Sequence, residues 1–249
     1  MTHSTTLVNR ARERIKDLPD LSPEGGKGGA ERLRRALAGK ERTSIVVRYE
    51  RRTPADREAP ETPLPTFVKK LAGAGVHAVQ AVTEPWLHGG RLADLELIAD
   101  ELPLPVIMGD ICIDPAYARC AAALGACGVE LVAGVLNDED LPRLVAACRE
   151  LDLLPLITCA EVEEVARAAS FQDAALILTD WDLDTLTRTP GRLSSLMDAV
   201  EGDPLVLATT SLDEKDVHDS LRGRVDAFVL GMGVVRHSDP ASAIKELVN

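Results

Sequence analysis

The feature that most constrains this chain is a repeat that begins at residue 44. Short β-branched or apolar segments recur about every 25 residues, and each is followed by a segment with helical periodicity. The eight predicted strands are Ser44 to Tyr49, His77 to Thr83, Leu104 to Gly109, Gly128 to Ala133, Leu153 to Cys159, Ala174 to Thr179, Pro204 to Thr210 and Asp226 to Gly231. Eight βα units in about 200 residues are typical of a closed (β/α)8 TIM barrel, an α/β fold, and a doubly wound open sheet is the alternative.

A separate segment precedes the repeat. Helical periodicity predicts two helices in it, over residues 7–16 and 30–38, joined by a glycine-rich link at 25–29. No strand precedes these glycines and no Lys-Ser/Thr pair ends them, so they do not form a phosphate-binding P-loop. We therefore predict one structural domain, made of a helical extension over residues 1–43 and a barrel over residues 44–249.

The charge balance excludes two classes of partner. The 249 residues carry a net charge of −12 and the pI is near 4.9, whereas nucleic acid and anionic membranes require a basic face. No apolar run is long enough to cross a bilayer, and the polar start of the chain lacks the apolar core of a signal peptide. The five cysteines form no CxxC pair and are expected to be reduced, buried thiols. We expect a cytoplasmic protein, either a monomer or a weak homodimer.

Two segments carry a resemblance to a known family. The segment Val-Thr-Glu-Pro-Trp-Leu-His-Gly-Gly at 82–90 resembles the second-strand signature of indole-3-glycerol phosphate synthases, and residues 104–115 resemble the third-strand segment. The register also agrees at Thr53-Pro54, at Asp182-Leu183 and in the tail at 231–241, so the resemblance covers essentially the whole chain. It implies a TIM barrel whose chemistry lies at the carboxyl ends of the strands.

The working residues that the resemblance implies are nevertheless absent. The family's strand-one glutamate and lysine fall on Arg48 and Glu50, and its general-acid lysine falls on Gly109. No lysine occurs between Lys70 and Lys215 to replace that group. Other family positions carry threonine or serine, namely Thr158, Thr179, Thr209, Thr210 and Ser211. Since acid–base groups typically contribute about 10²- to 10⁴-fold each, we expect negligible synthase activity.

The phosphate site of the family is retained only in part. Gly231 and Gly233 keep the half that follows the eighth predicted strand, where backbone amides would contact the anion. Ser211 replaces a glycine of the other half, and Trp181 stands where the family often has arginine. A phosphate-free substrate is therefore at least as compatible with the sequence as a phosphorylated one.

New charged residues occupy inward positions. Strand alternation turns Arg48 and Glu50 toward the barrel mouth and turns Glu130 inward from the fourth strand. One interpretation is a structural salt bridge from Arg48 to Glu130 or Glu50 that fills a pocket without catalytic activity. The other is a catalytic set, in which Glu130 is a carboxylic acid with a raised pKa and Arg48 binds an anionic or enolic substrate oxygen. We predict that Arg48 and Glu130 face the substrate from two sides without touching, with Glu50 as an alternative acid or base.

These residues lead to a functional hypothesis. We predict a lyase or cyclase of specialised small-molecule metabolism that acts on a carboxylated or enolic substrate, without a metal or cofactor. The alternative is an inactive synthase relative that binds a metabolite or a partner protein. The predicted substrate-binding residues are Thr53, Trp86, His88, Asp110, Thr158, Thr179, Trp181, Thr210, Ser211, Gly231 and Gly233.

Overall fold

The computed structural model describes residues 2–19, 29–39, 43–54, 58, 60–71 and 73–248. Its strands are β1 (Ser44–Tyr49), β2 (Ala78–Val82), β3 (Val106–Gly109), β4 (Gly128–Val132), β5 (Leu154–Cys159), β6 (Ala175–Leu178), β7 (Trp181–Asp182), β8 (Thr187–Arg188), β9 (Leu205–Thr210) and β10 (Ala227–Leu230). Its helices are α1 (His3–Arg14), α2 (Ala30–Leu37), α3 (Leu64–Leu71), α4 (Leu92–Glu101), α5 (Pro115–Ala123), α6 (Asp140–Glu150), α7 (Val162–Ala168), α8 (Arg192–Asp198), α9 (Lys215–Leu221), α10 (Met232–Val235) and α11 (Pro240–Val248).

Eight of the strands form a closed parallel barrel in the order β1-β10-β9-β6-β5-β4-β3-β2. All eight predicted strands are present, with ends that differ from the prediction by two residues at most. The open doubly wound sheet is excluded because β1 pairs with both β2 and β10, which closes the ring. Apolar side chains that alternate inward along the strands fill the interior, including Val46, Ile107 and Ile177.

Helix α2 closes the amino-terminal end of the barrel. Leu33 and Leu37 are fully buried and belong to the same apolar cluster as the inward strand residues. A methyl group at Gly128 would lie only 2.7 Å from Leu33 Cδ2, so glycine at the start of β4 makes room for this helix. The end opposite the usual site of chemistry is therefore sealed by apolar packing.

Helix α1 lies along the rim of the opposite, carboxyl-terminal end. Near its start, the Ser4 amide donates to Asp184 Oδ1 at 2.9 Å, and near its end Arg14 pairs with Asp110 beyond β3. The helix begins at His3, four residues before its predicted start, because Thr2 caps it by accepting from the Thr5 amide. The second predicted helix is confirmed as α2, while residues 25–28 of the predicted glycine link lie outside the described residues.

A small hairpin was not predicted. Strands β7 and β8 pair in antiparallel fashion between β6 and α8, with Leu186 in the turn at a φ of 56°. Two-residue strands carry no readable periodicity. No helix among the described residues is both long and apolar enough to cross a membrane.

Candidate active site

A cavity of about 500 Å³ opens at the carboxyl ends of the barrel strands. Thirteen of the fourteen predicted site residues line it, and Trp86 is the exception. They include the hydroxyl-bearing residues Thr53, Thr158, Thr179, Thr210 and Ser211. A polar cavity is thus present where the family fold predicts chemistry.

An ion-pair network forms the inner part of the cavity. Glu130 is buried and accepts hydrogen bonds from Gln80 Nε2 at 2.7 Å, Thr158 Oγ1 at 2.7 Å and Arg48 Nη1 at 3.4 Å. Arg48 Nε also lies 3.7 Å from Glu50 Oε2. Burial alone would lower the pKa of Arg48, but the charges of Glu130 and Glu50 outweigh it and raise that pKa. The inward orientation of all three charged residues agrees with the prediction.

The prediction that Arg48 and Glu130 do not touch is wrong. Strands β1 and β4 are separated by β2 and β3 in the ring, but the long arginine side chain spans the interior and reaches the carboxylate. Gln80, Thr158 and Arg48 surround Glu130, so both of its carboxylate oxygens have partners within the chain. The cavity above the network stays open, so the pair does not fill the mouth.

Side chains crowd Gly109, the position predicted for the family's general-acid lysine. A Cβ added at Gly109 would lie 3.1 Å from Glu130 Oε2 and 3.2 Å from Gln80 Nε2. The Glu130–Gln80 hydrogen bond therefore lies directly beside the Cβ position at residue 109.

A second contact in the cavity joins Glu50 and His88. His88 Nδ1 lies 2.6 Å from Glu50 Oε2, and both side chains are largely buried, at 16% and 7% exposure. Burial tends to raise the pKa of Glu50, but its contacts with His88 and Arg48 outweigh burial and hold that pKa below its ordinary value. Glu50 is therefore an ionised partner for both side chains.

The loop after β2 explains why His88 faces the cavity and Trp86 does not. The Glu84 carboxylate accepts from the backbone amides of Trp86, Leu87 and His88 at 2.6 to 3.0 Å, which wraps the chain around it. This turn places the Trp86 ring under the Arg10 guanidinium, 5.1 Å from the ring centroid. Trp86 thus contacts α1 and does not line the cavity, and its contact with substrate stays a prediction.

Asp110 lines the cavity, but its carboxylate is already engaged. It accepts from Thr83 Oγ1 at 2.5 Å and from the Ile111 amide at 2.8 Å, and Arg14 pairs with the same oxygen as Thr83. Burial raises the pKa of Asp110, and these contacts offset the effect only in part. The residue links β2, β3 and α1.

A second arginine, missed by the sequence prediction, lies at the outer side. Arg188, on β8, contacts Asp180 at 3.0 Å and Glu214 at 2.6 Å, and its Nη1 donates to Ser211 Oγ at 3.2 Å. Glu214 Oε2 also accepts from the Ser211 amide at 2.7 Å. A carboxylate of the chain thus occupies the donors around Ser211, where half of the family's phosphate site was predicted.

Two pairs of nearby acidic residues, Asp110/Asp114 and Asp180/Asp182, include carboxylates that cap a helix or a turn. Asp114 caps α5 by accepting from the Ala116 amide, and Asp182 accepts from the amides of Asp184 and Thr185 in the hairpin turn. Within the described ranges, no group of three or more His, Cys, Asp or Glu side chains is arranged to hold a metal ion. The absence of a metal or cofactor from the reaction stays a prediction.

Some site residues were accessible to sequence reasoning and others were not. Gln80 pairs in register with Arg48 across β1 and β2, so alternation along β2 would have placed it inward. Arg188 and Glu214 carried no such signal, because their contact depends on the unpredicted hairpin and on the loop after β9.

Comparison with known proteins identifies the family. A family model described as indole-3-glycerol phosphate synthase matches residues 6–247. The chain belongs to this family. Its relatives include the synthase of a Nocardioides species, 27% identical over 207 residues that cover 82% of this chain and 80% of that protein. The Methanopyrus kandleri synthase is 25% identical over 249 residues, 97% of this chain and 96% of that protein.

Solved structures support the fold at lower identity. A 3-hexulose-6-phosphate synthase from Salmonella typhimurium has a TM-score of 0.65 at 16% identity, covering 83% of this chain and 97% of that chain. A tryptophan synthase structure from M. tuberculosis has a TM-score of 0.65 at 14% identity, covering 89% and 98%. The indole-3-glycerol phosphate synthase resemblance is confirmed, and family members are ring-forming lyases, which supports an enzyme in the broad sense.

Proposed function

We propose that this barrel catalyses a ring-forming or lyase reaction different from that of indole-3-glycerol phosphate synthase, within specialised small-molecule metabolism, and has lost synthase activity. The relatives are named as synthases without any change of reaction, so support for the proposal comes from the residues of this chain. The observation that carries it is the Glu130–Gln80 hydrogen bond beside Gly109, the position predicted for the family's general acid.

The outer half of the cavity supports a substrate without a phosphate. The Glu214 carboxylate accepts a hydrogen bond from the Ser211 amide and pairs with the Arg188 guanidinium. These are the donors that a bound anion would need. A phosphate would have to displace a carboxylate already hydrogen-bonded at 2.6 to 2.7 Å. A carboxylated or enolic substrate that enters the inner half avoids this competition.

The inner half supports an enzyme over a filled, inactive pocket. Arg48 keeps 21% of its side chain exposed, and its Nη2 has no hydrogen-bond partner among the described residues. An arginine that is oriented by two carboxylates and still has free N–H groups is suited to an oxygen that gains negative charge. Glu130 then orients Arg48, while its predicted role as an acid or base stays a prediction.

The first experiment uses the parent substrate. The purified protein is incubated with the anthranilate-linked deoxyribulose phosphate, and indole formation is followed by fluorescence, with the Methanopyrus kandleri synthase as positive control. Because at least two acid–base positions are altered, we expect a rate lower by about 10⁴-fold or more. Indole formation at a rate comparable with the control would contradict the proposal.

A second candidate function is an inactive relative that binds a metabolite or a partner protein. The observation that favours it is the saturation of Glu130 by three protein donors. A thermal-shift screen of small carboxylates and enols, followed by NMR of each hit, separates the two candidates. Conversion of a bound compound supports the enzyme, and tight binding without conversion supports the second candidate.

A further inference from the structure

The Glu50–His88 pair has the spacing of a proton-transfer dyad, although the ring nitrogen is not aligned with the carboxylate as a hydrogen bond requires. Both side chains line the cavity, and the 2.6 Å contact joins Nδ1 of the imidazole to a carboxylate oxygen. A carboxylate on one ring nitrogen places the proton there and leaves the other nitrogen as the base. Nε2 of His88 has no hydrogen-bond partner among the described residues, so it is available to a ligand.

The backbone around His88 fixes the ring in position. Its amide donates to Glu84 Oε2 at 3.0 Å, and its carbonyl accepts from the amides of Arg51 and Arg52, each at 3.1 Å. The residue is thereby tied both to the loop after β2 and to the segment after β1. It is a positioned side chain and not a solvated loop residue.

Arg48 and His88 both contact the same carboxylate oxygen of Glu50. Glu50 Oε2 lies 3.7 Å from Arg48 Nε and 2.6 Å from His88 Nδ1. The guanidinium and the imidazole are therefore neighbours at the same end of the cavity. One can stabilise a negative oxygen while the other removes a proton.

We propose that His88, positioned by Glu50, is the general base of this site, and that the substrate is an enolisable carbonyl compound whose oxygen faces Arg48. In this step the C–H bond next to the carbonyl breaks and its proton passes to Nε2 of His88. The electron pair moves to the carbonyl oxygen, and the enolate is stabilised by the guanidinium. The inference rests on the proposed function, for which it names a substrate class, and makes His88 the catalytic residue and Glu50 the positioning residue.

The first test needs no substrate. In ¹⁵N-histidine NMR of the full chain, we expect the neutral ring of His88 to be the Nδ1–H tautomer, and Glu50→Gln to move it toward the Nε2–H form. A wild-type His88 in the Nε2–H form would overturn the dyad. The tautomer is measured on the unmodified protein, so the result does not depend on whether a variant folds.

The second test uses 5-nitrobenzisoxazole, a C–H acid whose deprotonation breaks the ring N–O bond and gives a coloured phenolate. We expect the protein to accelerate this reaction and His88→Gln to lower the rate by at least about tenfold. The matched control is His237→Gln, since His237 is exposed and does not line the cavity, and it should keep the wild-type rate. Equal rates for wild type and His88→Gln would overturn the proposal.

The two proposals fail separately. Indole formation from the parent substrate would end the proposed change of reaction, whatever the His88 tautomer is. A wrong tautomer, or an unchanged rate in His88→Gln, would end the dyad while the change of reaction stands.

Discussion

The two arginines of the cavity have the same kind of partners but different surroundings. Arg48 lies between Glu50 and Glu130, whose side chains are each 7% exposed, at contacts of 3.4 to 3.7 Å. Arg188 lies between Asp180 and Glu214, which are 11% and 24% exposed, at contacts of 2.6 to 3.0 Å. The deeper arginine therefore has the longer contacts.

The arginine with the shorter contacts is therefore not the one with more N–H groups left to bind a ligand. Arg188 uses its Nε, Nη1 and Nη2 on Asp180, Ser211 and Glu214, so its short contacts leave little for a ligand. Arg48 is held loosely by buried carboxylates and keeps N–H groups that face the cavity. The inner arginine is the better candidate for contact with substrate, and the outer one is already saturated by side chains of the chain.

The largest expected effect is on the inner ion pairs, those of Arg48 with Glu50 and Glu130. Arg48→Met would leave Glu50 and Glu130 buried without their cation, and removal of one partner of a buried ion pair typically costs about 3–5 kcal/mol. Urea unfolding at pH 7 measures the loss of free energy of unfolding. The double variant Arg48→Met/Glu130→Gln should recover part of it, because one uncompensated charge is gone. A loss below about 1 kcal/mol for Arg48→Met would show that the inner network is not energetically buried.

The matched change at the outer ion pairs, those of Arg188 with Asp180 and Glu214, should lower the free energy of unfolding by less. Arg188→Met removes shorter contacts, but its partners are nearer to solvent, where ion pairs contribute about 1 kcal/mol or less. The same urea unfolding experiment at pH 7 makes the comparison direct. If the two variants lose equal stability, contact length and not burial governs these networks, and the contrast between the arginines does not hold.

The fold was predictable because each barrel strand can be recognised from its own short stretch of sequence. A strand covered on both faces appears as a short apolar run, and eight such runs fix the number of units. Alternation then placed Val46, Arg48 and Glu50 on one face without any knowledge of their neighbours. The family signature at 82–90 supplied the register of the loop after β2.

The pairings inside the cavity were not predictable in the same way. The contact between Arg48 and Glu130 depends on side-chain reach across a ring, where the strand positions alone suggested separation. His88 meets Glu50 only because Glu84 turns the loop, and that same turn removes Trp86 from the cavity. Sequence spacing indicates which end of the barrel a residue occupies, while long side chains decide which residues touch.

The smallest expected effect is a dependence of stability on pH that comes from Glu50. The pKa of Glu50 lies below its ordinary value when the protein is folded, since the contacts with His88 and Arg48 outweigh burial. A carboxyl group whose pKa is lowered by folding contributes stability that is present above its unfolded pKa, about 4.3, and is lost as the pH falls through the lower folded value. The difference in unfolding free energy between wild type and Glu50→Gln should therefore shrink as the pH falls from 6 to 3. His88→Gln removes one of the contacts that lower this pKa, so its pH-dependent loss of stability should be smaller and should end at a higher pH. Urea unfolding at several pH values measures both effects. A difference between wild type and Glu50→Gln that stays constant or grows toward pH 3 would show that Glu50 is not stabilised as an anion by Arg48 and His88.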